Sequence, residues 1–171
     1  MLLRFVVNKG VYRWGVLIVL LGVVLFFLFS ILDGKNTDRF YSSVRINNHT
    51  MEVEIADAPE ARERGLGGHA PLSENEGMLF VFKNPEVQTF WMKRMIFPID
   101  IVWMGIDADG KTFVAGIEKN VDPQIGAADS ALALYQSPVP VRYVLEVRGG
   151  LTDLFGVRIG DPVLLYLAFG K

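Results

Sequence analysis

The 171-residue chain contains no cysteine. That excludes disulfides, zinc–thiolate sites, thiol nucleophiles and dithiol redox chemistry. Histidine is nearly absent too: His49 and His69 stand alone, without the ligand spacing of a zinc site. Asp107, Asp109 and Asp122 do not follow the pattern of a calcium loop. The glycine segment RGLGGHAP lacks the Gly-Lys-Ser/Thr of a phosphate-binding loop and follows a helix instead of leading into one. No G-x-S-x-G element is present, and Ser73, Ser130 and Ser137 have no visible base partner. Neither a cofactor nor a metal is therefore expected. A basic patch is missing as well. Residues 33–171 carry 14 Lys+Arg (17 minus 3) and all 19 Asp+Glu, a net charge of −5, which argues against a nucleic-acid partner.

What the chain does have is a long apolar run. Residues 14–32, WGVLIVLLGVVLFFLFSIL, hold nineteen positions without a charge. About twenty such residues span a bilayer core as a helix, and apolar side chains on every face are unlike a helix with one buried stripe. The residues that follow offer no small-residue cleavage site, so an uncleaved anchor is expected in place of a signal peptide. Arg4, Lys9 and Arg13 precede the run with no acid among them. Residues 1–13 are then cytoplasmic, and the chain after the span is extracytoplasmic. Residues 33–40 read as a short polar linker, and residues 41–171 as one domain. The expected location is the plasma membrane, crossed once. The bilayer is a partner through residues 14–32, and a membrane-protein complex is a further candidate partner.

Within the domain, Val44 and Ile46, then Met51, Val53 and Ile55, alternate with polar residues around Asn47-Asn48, as in a β-hairpin. Asp57 and Glu60 have the capping-box spacing at the start of a short helix, which Gly65, Gly67 and Gly68 would stop. GMLFVF (77–82) is continuous apolar sequence, as for a strand buried on both faces. Residues 88–93 and 99–105 read as two strands joined at Pro98 in a hairpin. A strand over 111–117 follows the Asp107–Gly110 turn, and residues 118–138 read as a long loop. Residues 142–147 are a strand, and 151–156 one or two helical turns with Thr152 as cap. The last strand covers 162–167. Seven or eight short strands with two short helices predict a mainly β, α+β domain, barrel-like or sandwich-like.

The segments ERGLGG (63–68), GMLFVF (77–82), FWMK (90–93), PIDIVWM (98–104), IDADG (106–110), YVLEV (143–147) and GVRIGD (156–161) follow one another in this order. Together they resemble the family called "domain of unknown function 192", from about Val44 to Leu165. The resemblance implies a fold and no established activity. Four positions depart from the family pattern. Gly67 stands where Met usually follows Gly-Leu, Arg94-Met95 where Asn-Thr usually follows FWMK, and Ile99 where Leu usually precedes the aspartate.

Candidate site residues come from polar groups set among apolar ones. A carboxylate in an apolar strand is costly unless paired, so Asp100 is expected to pair with Lys93 or Arg94 across the hairpin. Two placements are open for Glu146: facing solvent, or sharing a cavity with Asp100. Trp91 and Trp103, with Phe90, Met92, Met95 and Met104, form either core or an open groove. The leading expectation is a membrane-anchored binding or accessory module, with Trp91, Lys93, Asp100, Trp103 and Glu146 toward its ligand. The alternative is an envelope hydrolase or transferase using Asp100 and Glu146 as paired carboxylates.

Overall fold

A computed structural model describes residues 42–168. The expected anchor and linker lie outside the described residues. Among the described residues no helix is long and apolar enough to cross a membrane.

β1 (Ser42–Ile46) and β2 (His49–Ala56) form the expected hairpin, with Val44 opposite Met51. Asn47 takes the turn at φ 55°, a left-handed conformation that asparagine tolerates. The chain then enters α1 (Pro59–Arg64). Here Ala58, not Asp57, is the N-cap, and no side chain caps the helix. The proline at the first helical position supplies the fixed φ instead. Gly65 ends the helix as expected, its N–H donating to the Ala61 carbonyl. This crossover lets β3 (Glu76–Glu86) pair in parallel with β2, an arrangement a tight turn cannot make.

The remaining strands are β4 (Thr89–Trp91), β5 (Ile99–Ile106), β6 (Thr112–Val121), β7 (Leu134–Gln136), β8 (Val141–Arg148) and β9 (Pro162–Tyr166). A 3-10 turn covers Asp129–Ala131, and α2 covers Leu151–Leu154. Seven strands close a barrel in the order β1-β2-β3-β8-β5-β6-β9, while β4 and β7 pair as a separate ribbon. The mainly β, barrel-like expectation is met, with two short helices.

Two cores explain the apolar runs. Val44, Met51, Leu79, Val102, Val114, Leu145 and Val163 belong to one buried cluster. It draws on all seven barrel strands, which only the barrel interior can do, and Leu151 of α2 packs into it. The second cluster lies on the opposite face of β3, β5 and β8. It joins Met78, Phe80, Ile99, Ile101, Trp103 and Val144 to Met92, Met95 and Phe97. These three strands are therefore covered on both sides, and their sequences lose the alternation of a half-buried strand. Fully burying a side chain as large as Phe80 or Trp103 contributes about 1.5–3 kcal/mol.

Three further expectations are corrected. β4 and β5 are not a hairpin: β4 pairs with β7, and both edges of β5 are taken, by β6 and β8. Residues 92–97 turn at Arg94 (φ 59°), with the Met95 N–H donating to the Met92 carbonyl at 3.3 Å. The turn sends Met92, Met95 and Phe97 into the outer core, so the intervening chain cannot act as a tight bend. Residues 118–138 are not one loop, because β6 runs on to Val121 and β7 follows the 3-10 turn. The cap of α2 is Gly150, in the left-handed region. Thr152 lies one position inside the helix and has another task.

Candidate functional site

Asp100 and Glu146 sit one register step apart on neighbouring strands and point to opposite faces. Asp100 lies opposite Val147, an interior residue, and Glu146 lies opposite Ile101, an outer-core residue. Directly opposed residues on antiparallel strands share a face, so the two carboxyl groups diverge. The paired-carboxylate expectation does not hold in this geometry.

Asp100 is fully buried and accepts four hydrogen bonds. The N–H groups of Asn120 (2.7 Å) and Gly150 (2.9 Å) donate to Oδ1. The N–H of Thr152 (2.8 Å) and its hydroxyl (2.6 Å) donate to Oδ2. The carboxylate thus ties β5 to β6 and to the β8–α2 turn. The Gly149 N–H reinforces that turn by donating to the Pro98 carbonyl at 3.0 Å. These four bonds use up its acceptor positions and leave none for a ligand. The expected pairing of Asp100 with a cation is corrected: its partners are backbone amides and a hydroxyl. Lys93 pairs instead with Asp129, at 2.8 Å. Arg94 is exposed. Together with Glu60, Glu63, Arg64 and Lys93 it lines a hollow of about 240 Å³.

Glu146 has the opposite character. It is buried between Met78 of β3 and Ile101 of β5, and its Oε2 has no hydrogen-bond partner. Burial pushes its carboxyl group up to about 8. At neutral pH it is therefore mostly a neutral acid, offering an O–H donor and a carbonyl acceptor. It does not face solvent. Its place beside Leu145 and Val147 does not mark a solvent face, because β8 is covered on both faces.

Glu146 lines a cleft of about 200 Å³. One wall is the end of α1 and the glycine segment, from Arg62 to Gly67; the other is Gln88–Trp91 with Lys93. Phe80, Phe82 and Phe90 contribute rings. Phe90 stands edge-on to Phe80 (4.8 Å between centroids), to Phe82 (6.4 Å) and to Trp103 (5.4 Å). Trp91 is 43% exposed. The Arg62 guanidinium donates to the carbonyls of Val81 and Asp57 and lies 5.2 Å from the Phe82 ring centre. Gly67 allows the walls to meet. A Cβ there would lie 3.0 Å from the carbonyl oxygens of both Arg64 and Lys93 and 3.3 Å from the Arg94 Cβ.

Of the five residues expected at a site, Trp91, Lys93 and Glu146 come together at this cleft. Asp100 is on the other face. Trp103 is buried behind Phe90, with its Nε1 unpartnered. Arg62, Phe80 and Phe82 were not singled out from the sequence. ERGLGG read as a helix stop and GMLFVF as plain core, and no local signal marks either as a wall. Among the described residues no group of three or more His, Cys, Asp or Glu side chains converges to hold a metal ion.

The same segments that build the cleft and the barrel carry a family match. The model of DUF192, "Uncharacterized ACR", matches residues 42–165. The chain belongs to the DUF192 family. No curated protein matches it. Among the solved structures that this chain is similar to are the following two. One is a protein of unknown function from Novosphingobium aromaticivorans DSM 12444. It is 28% identical, with 72% of this chain and 83% of that one covered, and a TM-score of 0.62. The other, from Sinorhizobium meliloti 1021, is described as a candidate transcription regulator. It is 30% identical, with 74% of this chain and 97% of that one covered, and a TM-score of 0.64.

Proposed function

We propose that this DUF192 domain is a binding module, held outside the plasma membrane by residues 14–32, which receives its ligand in the cleft floored by Glu146. One observation carries the reading: a fully buried carboxyl group with an unpartnered oxygen at an aromatic-lined opening. Buried polar atoms are nearly always satisfied, and an orphan at the base of a cleft is a place for a ligand atom. Trp91 and the phenyl rings supply apolar contact beside it, the usual composition of a ligand site. The apolar run and the three basic residues before it, Arg4, Lys9 and Arg13, support the membrane-anchored, extracytoplasmic placement. An accessory subunit of an envelope complex fits both features. The enzyme alternative keeps only Glu146, since Asp100 is saturated on the other face.

The test is recovery of partners with the full chain purified in mild detergent. Trp91→Ala removes exposed ring area and should cost under about 1 kcal/mol of stability. Trp91→Ala and Glu146→Gln should each deplete the same companion. Unchanged recovery with both variants, each still unfolding cooperatively, would refute the cleft as the binding site.

A further inference from the structure

Resting on the reading of the cleft as a binding site, we propose that it takes a cationic head group, an ammonium or guanidinium, with Glu146 as counter-ion and the rings of Phe80 and Phe90 beside it. The first support is that Glu146 lacks a counter-ion of its own. None of the ion pairs among the described residues includes it. Two of the three cations in the lining are committed elsewhere. Arg62 is held by the carbonyls of Val81 and Asp57 and by the Phe82 ring, and Lys93 by Asp129.

The lining supplies the second support. A cation over an aromatic ring is attracted by the ring quadrupole, by about 0.5–2 kcal/mol depending on desolvation. An anion gains nothing there. The cleft volume of about 200 Å³ is several times the roughly 30 Å³ share of one water, so a lysine-sized head group with part of its stem fits. A carboxylate ligand would have Arg64, which is exposed, but deeper in it would face the Glu146 carboxyl group.

Proton linkage separates the choices. The charged groups that line the cleft with Glu146 are Arg62, Glu63 and Arg64 from the α1 side and Lys93 from the segment after β4. From β3 and β5 it meets only apolar neighbours, Met78 and Ile101 directly opposite, with Phe80 and Trp103 in the same cluster. A cation that binds ionised Glu146 must expel its proton at any pH below about 8. Its affinity then rises about tenfold per pH unit up to that value. A neutral or anionic ligand that accepts the carboxyl proton shows no such rise and loses affinity above it.

The experiment is calorimetric titration of the full chain in detergent at pH 6, 7 and 8. The cationic probes are Nα-acetyl-lysine methylamide and n-butylammonium, and the neutral probe is Nα-acetyl-norleucine methylamide. Expected are binding of the lysine probe with proton release, about tenfold tighter at pH 7 than at pH 6, and no binding of the norleucine probe. Glu146→Gln should abolish the pH dependence and weaken binding at least tenfold. Phe90→Leu, a milder change, should weaken it several-fold. Similar affinity for n-butylammonium would point to a free amine as the source, and much tighter binding of the lysine probe to a polypeptide; both uphold the assignment. Failure of both cationic probes, or affinity that is flat or falls from pH 6 to 8, overturns it. If the norleucine probe binds with a heat lost in Glu146→Gln, the cation assignment falls while the cleft remains a binding site.

Discussion

Glu146→Gln should remove most of a steep loss of stability between acid and neutral pH. The carboxyl group has an ordinary value of 4.5 in the unfolded chain and about 8 in the fold. An acid raised in the folded state holds its proton more tightly there. Its contribution is therefore fully present below pH 4.5 and declines as pH rises to about 8. Between those limits the folded state holds one proton more than the unfolded state, so stability falls by about 1.4 kcal/mol per pH unit. From pH 5 to pH 7 the loss is about 3 kcal/mol, a large share of the roughly 5–15 kcal/mol typical of a domain. For a domain of this size that lowers Tm by about 10 °C. The glutamine variant cannot ionise, so it lacks this slope whatever constant offset its amide introduces. Glu76 acts in the opposite direction: hydrogen bonding from the Ser73 N–H and side chain lowers its pKa. Glu76 is common to both proteins and cancels in the difference. Urea denaturation of both at pH 5, 6, 7 and 8 measures the divergence. Parallel pH profiles would mean that Glu146 is ionised at neutral pH, and the account of the cleft floor would fail.

Two further substitutions test the frame around the cleft. Asp100→Ala strips the acceptor from three backbone N–H groups and the Thr152 hydroxyl. It should cost about 3–5 kcal/mol, read as a drop in the urea midpoint; a loss below about 1 kcal/mol would show that the site rearranges around the change. Gly67→Ala places a methyl group against two carbonyl oxygens and should destabilise by about 1–3 kcal/mol. It should also weaken whatever ligand the cleft holds, and unchanged thermal unfolding would count against the close approach of the two walls.

The barrel was legible where one residue's pattern settles one question. The β1–β2 hairpin follows from alternation around Asn47-Asn48, and the double-faced burial of β3 follows from GMLFVF. The pairing of β4 was not legible. Residues 89–91 and 99–106 look like neighbours, yet the buried Met92, Met95 and Phe97 take up the chain between them. Only long-range competition for the edges of β5 decides the partners. The site was half legible for the same reason. Trp91, Lys93 and Glu146 stood out as polar or large residues among apolar strands, but their meeting depends on which face each strand presents. A one-residue step reverses that face, and it is this step that separates Asp100 from Glu146. Arg62, Phe80 and Phe82 join the cleft through the parallel β2–β3 crossover, which no local pattern announces.

The barrel seam has a consequence for how the chain is made. β1 and β9 close the barrel against each other, with Val44 beside Leu165, and the Ser42 hydroxyl accepts from the Ala168 N–H at 3.0 Å. During synthesis β1 emerges early and its seam partner late. Until Pro162–Tyr166 appears, one edge of β1 stays open, and so does the edge of β6 that β9 will cover at Thr112 and Phe113. Open edges recruit other strands, and closure over so long a sequence separation is slow. The nascent protein thus depends on its final strand, and a chain stopped before Pro162 would carry two adhesive edges in place of a seam.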